Sequence, residues 1–167
     1  MPGWFMLAPY GRIHAAWRRD KDPSMPLTAA QERAVVHLAG PKPVHAQHAR
    51  QKARTLLAEW GLAESADLGE LIAGELIANA IRHGEEPIWM RLSLDGGDLR
   101  VEVHDGGAGR PVRKHPGDDD ESGRGLELLD GLTDLHGGER GMVSDPAGPG
   151  KTVYVVLSLK PTPADTR

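Results

Sequence analysis

The sequence predicts an α+β fold, with a sheet that carries its helices on one face. Three observations predict it. Patterned segments run strand, two helices, two strands, a long Gly/Pro/Asp stretch, a helix, then strands, which is not the regular alternation of a doubly wound parallel sheet. The 167 residues, 39% hydrophobic and 26% charged, suffice for one core but not for two ordinary domains. Aromatics are scarce (four Trp, two Tyr, one Phe), so that core is aliphatic.

The elements follow in order. Glu32–Gly40 reads as a first strand, stopped by Pro41 and Pro43. Val44–Trp60 reads as a helix ending at Gly61. Asp67–His83 carries the strongest helical pattern: Leu68, Leu71, Ile72, Leu76 and Ile81 recur at three-to-four-residue spacing, and Gly84 ends it. Pro87–Leu94 and Leu99–Val103 flank Asp95-Gly96-Gly97-Asp98, a hairpin signal. After the segment Asp105–Gly123 comes a helix over Gly125–Leu135, a short strand at Met142–Val143, and a last strand over Thr152–Leu159. Residues 27–160 read as the domain, with 161–167 as a tail. Residues 1–26 read as a flexible tail or, failing that, a short amphipathic helix around Trp4, Phe5, Leu7 and Trp17; the apolar stretch is too short for a signal peptide.

Composition excludes several classes. With no cysteine there are no disulfides, thiolate zinc sites or cysteine nucleophiles. A net charge of −4 disfavours general nucleic-acid binding. No apolar run approaches the ~18 residues of a membrane span, and a cytoplasmic protein is expected. His45 and His48 are three apart on a helix with no third ligand in view, so they read as surface residues. His83 reads as favourable charge at a helix C-terminus.

Four clusters carry chemistry. Glu75 and Asn79 are four apart and share a helix face. A carboxylate and an amide oxygen suit a hard cation such as Mg²⁺, which keeps waters and phosphates in the rest of its shell. A solvated polar face is the commoner meaning of such a pair. Asp105-Gly106-Gly107-Ala108-Gly109 follows a strand: the aspartate can accept from an exocyclic amine, and the glycines let backbone approach a ligand. An ordinary turn has the same composition. Ser122-Gly123-Arg124-Gly125-Leu126 opens a helix, where free N–H groups favour phosphate. Gly148-Pro149-Gly150-Lys151-Thr152 superficially matches a P-loop ending, but Asp145 stands where the first glycine belongs and a strand follows.

Their order is more specific than any one of them. GELIANAIRHG, VEVHDGGAG, SGRGLELLDGL and GPGKTVYVVL in succession resemble the GHKL ATPase superfamily of gyrase and the histidine kinases. The resemblance is nearest to the anti-sigma-factor serine kinases and related actinobacterial ATP-binding regulators, and it spans roughly Glu32 to Leu159. It implies a Bergerat fold: a two-layer α/β sandwich with a mixed sheet, helices on one face, and ATP held between helices and a lid. Glu75 matches the family's catalytic base and Asn79 its Mg²⁺ ligand. Asp105 matches the adenine-reading aspartate, supported by Gly107 and Gly109. Gly123, Arg124, Gly125 and Leu126 match the phosphate side, Thr152 an adenine-holding residue, and Asp105–Gly123 a short lid.

The implied activity is ATP-dependent phosphorylation of a serine on an antagonist protein, regulating transcription by partner switching. The implied partners are that antagonist and/or a sigma factor, and a homodimer is among the assemblies expected. Asp118-Asp119-Asp120-Glu121 stands where kinase members often carry a basic lid residue. That favours the alternative, a non-catalytic nucleotide-gated module that sequesters its partner. A sensor histidine kinase would carry a long helix pair with a phosphoacceptor His before this domain; residues 1–74 read as tail, strand and helices instead.

Overall fold

A computed structural model describes residues 31–38, 42–108 and 122–159 of the chain. The expected tails, Gly109 and nearly all of the expected lid lie outside these residues. The described residues belong to one compact unit, Gln31–Arg167. They form β1 (Gln31–Leu38), α1 (Pro43–Glu59), a single 3₁₀ turn (Ala63–Ser65), α2 (Ala66–His83), β2 (Ile88–Asp95), β3 (Asp98–Asp105), α3 (Ser122–Leu135), β4 (Glu139–Ser144) and β5 (Lys151–Ser158).

Each helix has a physical reason for its bounds. Pro43 opens α1, where its missing N–H and fixed φ do no harm. Ala49, Ala53, Leu56 and Leu57 make the buried stripe of α1. Gly61 ends that helix at φ +77°, with Leu62 N–H donating to Leu57 O at 2.8 Å and Gly61 N–H to Ala58 O at 3.1 Å. That is a Schellman motif, and it needs the left-handed residue. In α2 the buried positions Ala66, Gly69, Ile72, Ala73, Leu76, Ile77 and Ala80 follow the helical repeat. Arg82 places positive charge in its last turn, next to His83.

The sheet order is β1-β2-β3-β5-β4, and every neighbouring pair is antiparallel. The expected α+β class holds; the expected mixed sheet does not. The β3–α3–β4 crossover does leave β3 and β4 running the same way. However, β5 inserts between them and pairs antiparallel with both. Gly96 and Gly97, both at positive φ (59° and 92°), close the β2–β3 hairpin in two residues.

Strand alternation separates two faces. Ile88, Met90 and Leu92 of β2, Leu99, Val101 and Val103 of β3, and Val155 and Leu157 of β5 point to the helices and are almost fully buried. They pack against Leu57, Ile72, Leu76, Ile77 and Leu129 from the helix layer. On the opposite face, Trp89 stacks on His104 with centroids 4.9 Å apart, and Arg91 and Arg100 flank the buried Glu102. Among the described residues no helix is long and apolar enough to cross a membrane.

Candidate functional site

Asp105 is the last residue of β3 and is only 3% exposed. Its Oδ1 accepts from the Gly107 N–H at 2.9 Å and from the Lys151 Nζ at 2.9 Å. The end of α2 lies directly beside it. A Cβ on Gly84 would stand 2.6 Å from the Asp105 Cγ and 2.6 Å from the Ala80 carbonyl. Gly84 has extended backbone (φ −99°, ψ −178°), so glycine is required there for space rather than for conformation. The Gly106 N–H donates to Glu85 O at 2.7 Å, which joins the segment after β3 to the segment after α2. The main chain at 84, 106 and 107 therefore packs closely on its neighbours and on the Asp105 carboxylate, with no side chain interposed.

Glu75 and Asn79 sit on α2, one turn apart and half-buried, while their neighbours Leu76 and Ile77 are buried in the core. The helix thus holds both polar groups at the margin of the apolar layer. A Cβ on Gly125 would fall on the Glu75 Oε2. The Glu75 carboxylate accordingly lies against the first turn of α3, whose leading N–H groups have no intrahelical acceptor. Gly123 and Arg124 belong to that same turn, and Leu126 is half-buried just beyond it. A rise of about 1.5 Å per residue separates Glu75 from Gly84 by about 14 Å along α2. One helix therefore spans from the start of α3 to the Asp105 carboxylate, the scale of an extended nucleoside triphosphate.

These residues fit such a ligand. The buried carboxylate suits an exocyclic amine, and the α3 N-terminus suits phosphate. Mg²⁺ fits through the Asn79 side-chain oxygen together with phosphates. Among the described residues no group of three or more His, Cys, Asp or Glu could hold a metal ion by itself.

Thr152 is not brought to the site. Register pairs it with His104, and its Oγ1 lies 3.2 Å from the His104 Nδ1 on the sheet face away from the helices. Directly opposite Asp105 stands Lys151, 6% exposed, which also donates to Gly107 O at 3.3 Å. The reason is the two-residue period of a strand: Lys151 has the parity of the inward-facing Val155 and Leu157, and Thr152 has the other. Lys151 and Gly84 are the residues that sequence reasoning missed. The parity of Lys151 was legible in KTVYVVLSL, but its pairing with Asp105 was not. The 145–150 stretch is the β4–β5 connection, closed by Asp145 N–H donating to Gly150 O at 2.7 Å, with a strand following as the P-loop exclusion requires.

A sequence model described as "Histidine kinase-like ATPase domain" matches residues 40–155. None of the curated proteins matches the chain. Among solved structures, the histidine kinase domain from the blue-light activated histidine kinase of Erythrobacter litoralis EL346 is similar at 28% identity, with a TM-score of 0.43, over 58% of this chain and 46% of that one. The blue-light activated histidine kinase of the same organism is similar at 28% identity, with a TM-score of 0.42, over 58% of this chain and 31% of that one. This chain spans less than half the length of either.

Proposed function

Because the chain belongs to the family of histidine kinase-like ATPase domains, we propose that it binds Mg²⁺–ATP and transfers the γ-phosphate to a serine of an antagonist protein, regulating transcription by switching partners with a sigma factor. The two-layer α+β fold agrees with the Bergerat arrangement of that family. The observation that carries the reading is the Glu75 carboxylate set against the first turn of α3, on the same helix whose end lies beside Asp105.

The roles follow from chemistry. Asp105 accepts from the exocyclic amine of adenine. The N–H groups opening α3 hold phosphate oxygens. The Asn79 side-chain oxygen holds Mg²⁺, which when bound supplies neutralisation of phosphate charge. Glu75 accepts the serine hydroxyl proton as the serine oxygen bonds to the γ-phosphorus. The bond to the β–γ bridging oxygen breaks and ADP leaves. Positioning and charge neutralisation supply most of such catalysis.

Calorimetry and single-turnover transfer from radiolabelled ATP to candidate antagonist proteins test this. Asp105→Asn is expected to weaken ATP binding about 10–150-fold, the worth of a charge-assisted hydrogen bond. Asn79→Ala is expected to weaken Mg²⁺–ATP binding itself. Glu75→Gln is expected to keep binding and lose about 10²–10⁴-fold in transfer. A Glu75→Gln variant as fast as wild type removes Glu75 as the base. Tight ATP binding with no transfer to any partner supports the second reading, a nucleotide-gated sequestering module, which the acidic run Asp118–Glu121 favours.

A further inference from the structure

We propose that Lys151 reads the nucleotide base together with Asp105, donating to the ring nitrogen that lies beside the exocyclic amine. The inference rests on the ATP-binding reading and extends it to a residue to which the resemblance assigns no role. Lys151 and Asp105 face each other across the β3–β5 pair, with side chains 8% and 4% exposed. An ammonium that far from water needs partners, and the count of partners is informative. Lysine has three N–H donors. One goes to the Asp105 Oδ1 at 2.9 Å and one to the Gly107 carbonyl at 3.3 Å. Among the described residues the third goes to nothing.

The carboxylate is filled in the same lopsided way. Both of its hydrogen bonds, from the Gly107 N–H and from Lys151, end on Oδ1, and among the described residues none ends on Oδ2. The ion pair therefore leaves one donor and one acceptor next to each other, beside Gly107. Adenine presents the complement: an amine that donates, adjacent to N1 that accepts. A lone carboxylate would satisfy the amine and leave N1 desolvated without a partner, which lowers affinity. Lys151 removes that deficit. The pair is neutral overall, so it takes up a neutral base without adding net charge to the pocket.

The experiment compares ATP with 1-deaza-ATP, in which a C–H replaces N1, by calorimetry on the full chain and on Lys151→Met. Wild type is expected to bind 1-deaza-ATP about 10–150-fold more weakly than ATP, the worth of a charge-assisted hydrogen bond. Lys151→Met is expected to bind the two ligands alike. A merely structural lysine would shift both ligands equally and leave their ratio in wild type near one. A wild-type ratio near one, or a ratio undiminished in Lys151→Met, overturns the inference while leaving ATP binding standing. Failure of wild type to bind ATP at all overturns both together. Where Lys151→Met, which strands a buried carboxylate, does not fold, a wild-type ratio near one still overturns the inference.

Discussion

At the scale of single residues, two glycines of the site differ in what they protect. A Cβ on Gly84 meets the Ala80 carbonyl and the Asp105 side chain, both held in place. Gly84→Ala is expected to cost about 1–3 kcal/mol of stability through overpacking, and to abolish ATP binding by displacing Asp105. A Cβ on Gly125 meets only the far end of the Glu75 side chain. Gly125→Ala is expected to change stability by less than about 1 kcal/mol, yet to slow phosphotransfer by moving that carboxylate. Chemical denaturation beside single-turnover kinetics checks both; equal losses of stability would refute the distinction. On the other sheet face, burial pushes the Tyr154 phenol above its ordinary value, the Glu139 charge acts the same way, and Arg100 opposes them. The folded state thus favours neutral Tyr154. As pH rises through the ordinary tyrosine value near 10 the unfolded chain ionises first, and this contribution to stability is lost as pH reaches the raised folded value. Tyr154→Phe is expected to show a flatter stability profile above pH ~10 than wild type, read by urea midpoints across that range.

At the scale of elements, α1 and α2 are joined by two contacts of unlike weight. Arg54 of α1 reaches Asp67 and Glu70 of α2, with Glu70 Oε2 at 2.8 Å. This network is solvent-exposed, and Arg54→Ala is expected to move the denaturation midpoint little. Gly69 of α2 is buried, and a Cβ there would fall on the Leu57 Cδ1, itself 0% exposed. Alanine gains about 1 kcal/mol of helix propensity over glycine. Overpacking costs about 1–3 kcal/mol where the neighbour cannot move. Gly69→Ala is therefore expected to destabilise by up to about 2 kcal/mol, more than the loss of the whole ion network; the reverse order of denaturation midpoints would show that α1 can shift. Element boundaries teach the same lesson. The sequence placed α3 from Gly125, yet the helix opens at Ser122. Its glycine-bearing first turn is held by packing against Glu75 rather than by propensity. Similarly, β4 runs over six residues where only Met142–Val143 looked like a strand. Glu139–Ser144 has no apolar alternation, and its strand conformation comes from pairing along β5 and from Arg140 binding the Asp130 carboxylate of α3, with Nη2 2.8 Å from Oδ2.

At the scale of the whole molecule, binding and folding are linked. A ligand that binds only the folded state, at 100 times its dissociation constant, adds about 2.7 kcal/mol of stability. Saturating Mg²⁺–ATP is expected to raise the denaturation midpoint of wild type accordingly and to leave that of Asp105→Asn nearly unmoved at the same concentration; equal shifts would place the ligand elsewhere. The fold class, the helices α1 and α2, the β2–β3 hairpin and the positions of Glu75, Asn79 and Asp105 on their elements were determined by the sequence alone. These rest on local periodicity, on glycine stops and on a two-residue turn, which act within a few residues. Three things were decided only by tertiary structure. The sheet is antiparallel throughout because β5 inserts between β3 and β4. Lys151, and not the expected adenine-holding Thr152, shares a face with Asp105, because cross-strand register, not motif spacing, chooses which residues share a face. Gly84 is a spacer for a carboxylate 21 positions further along. Each of these depends on contacts between segments distant in the chain, and no local pattern encodes which segments will meet.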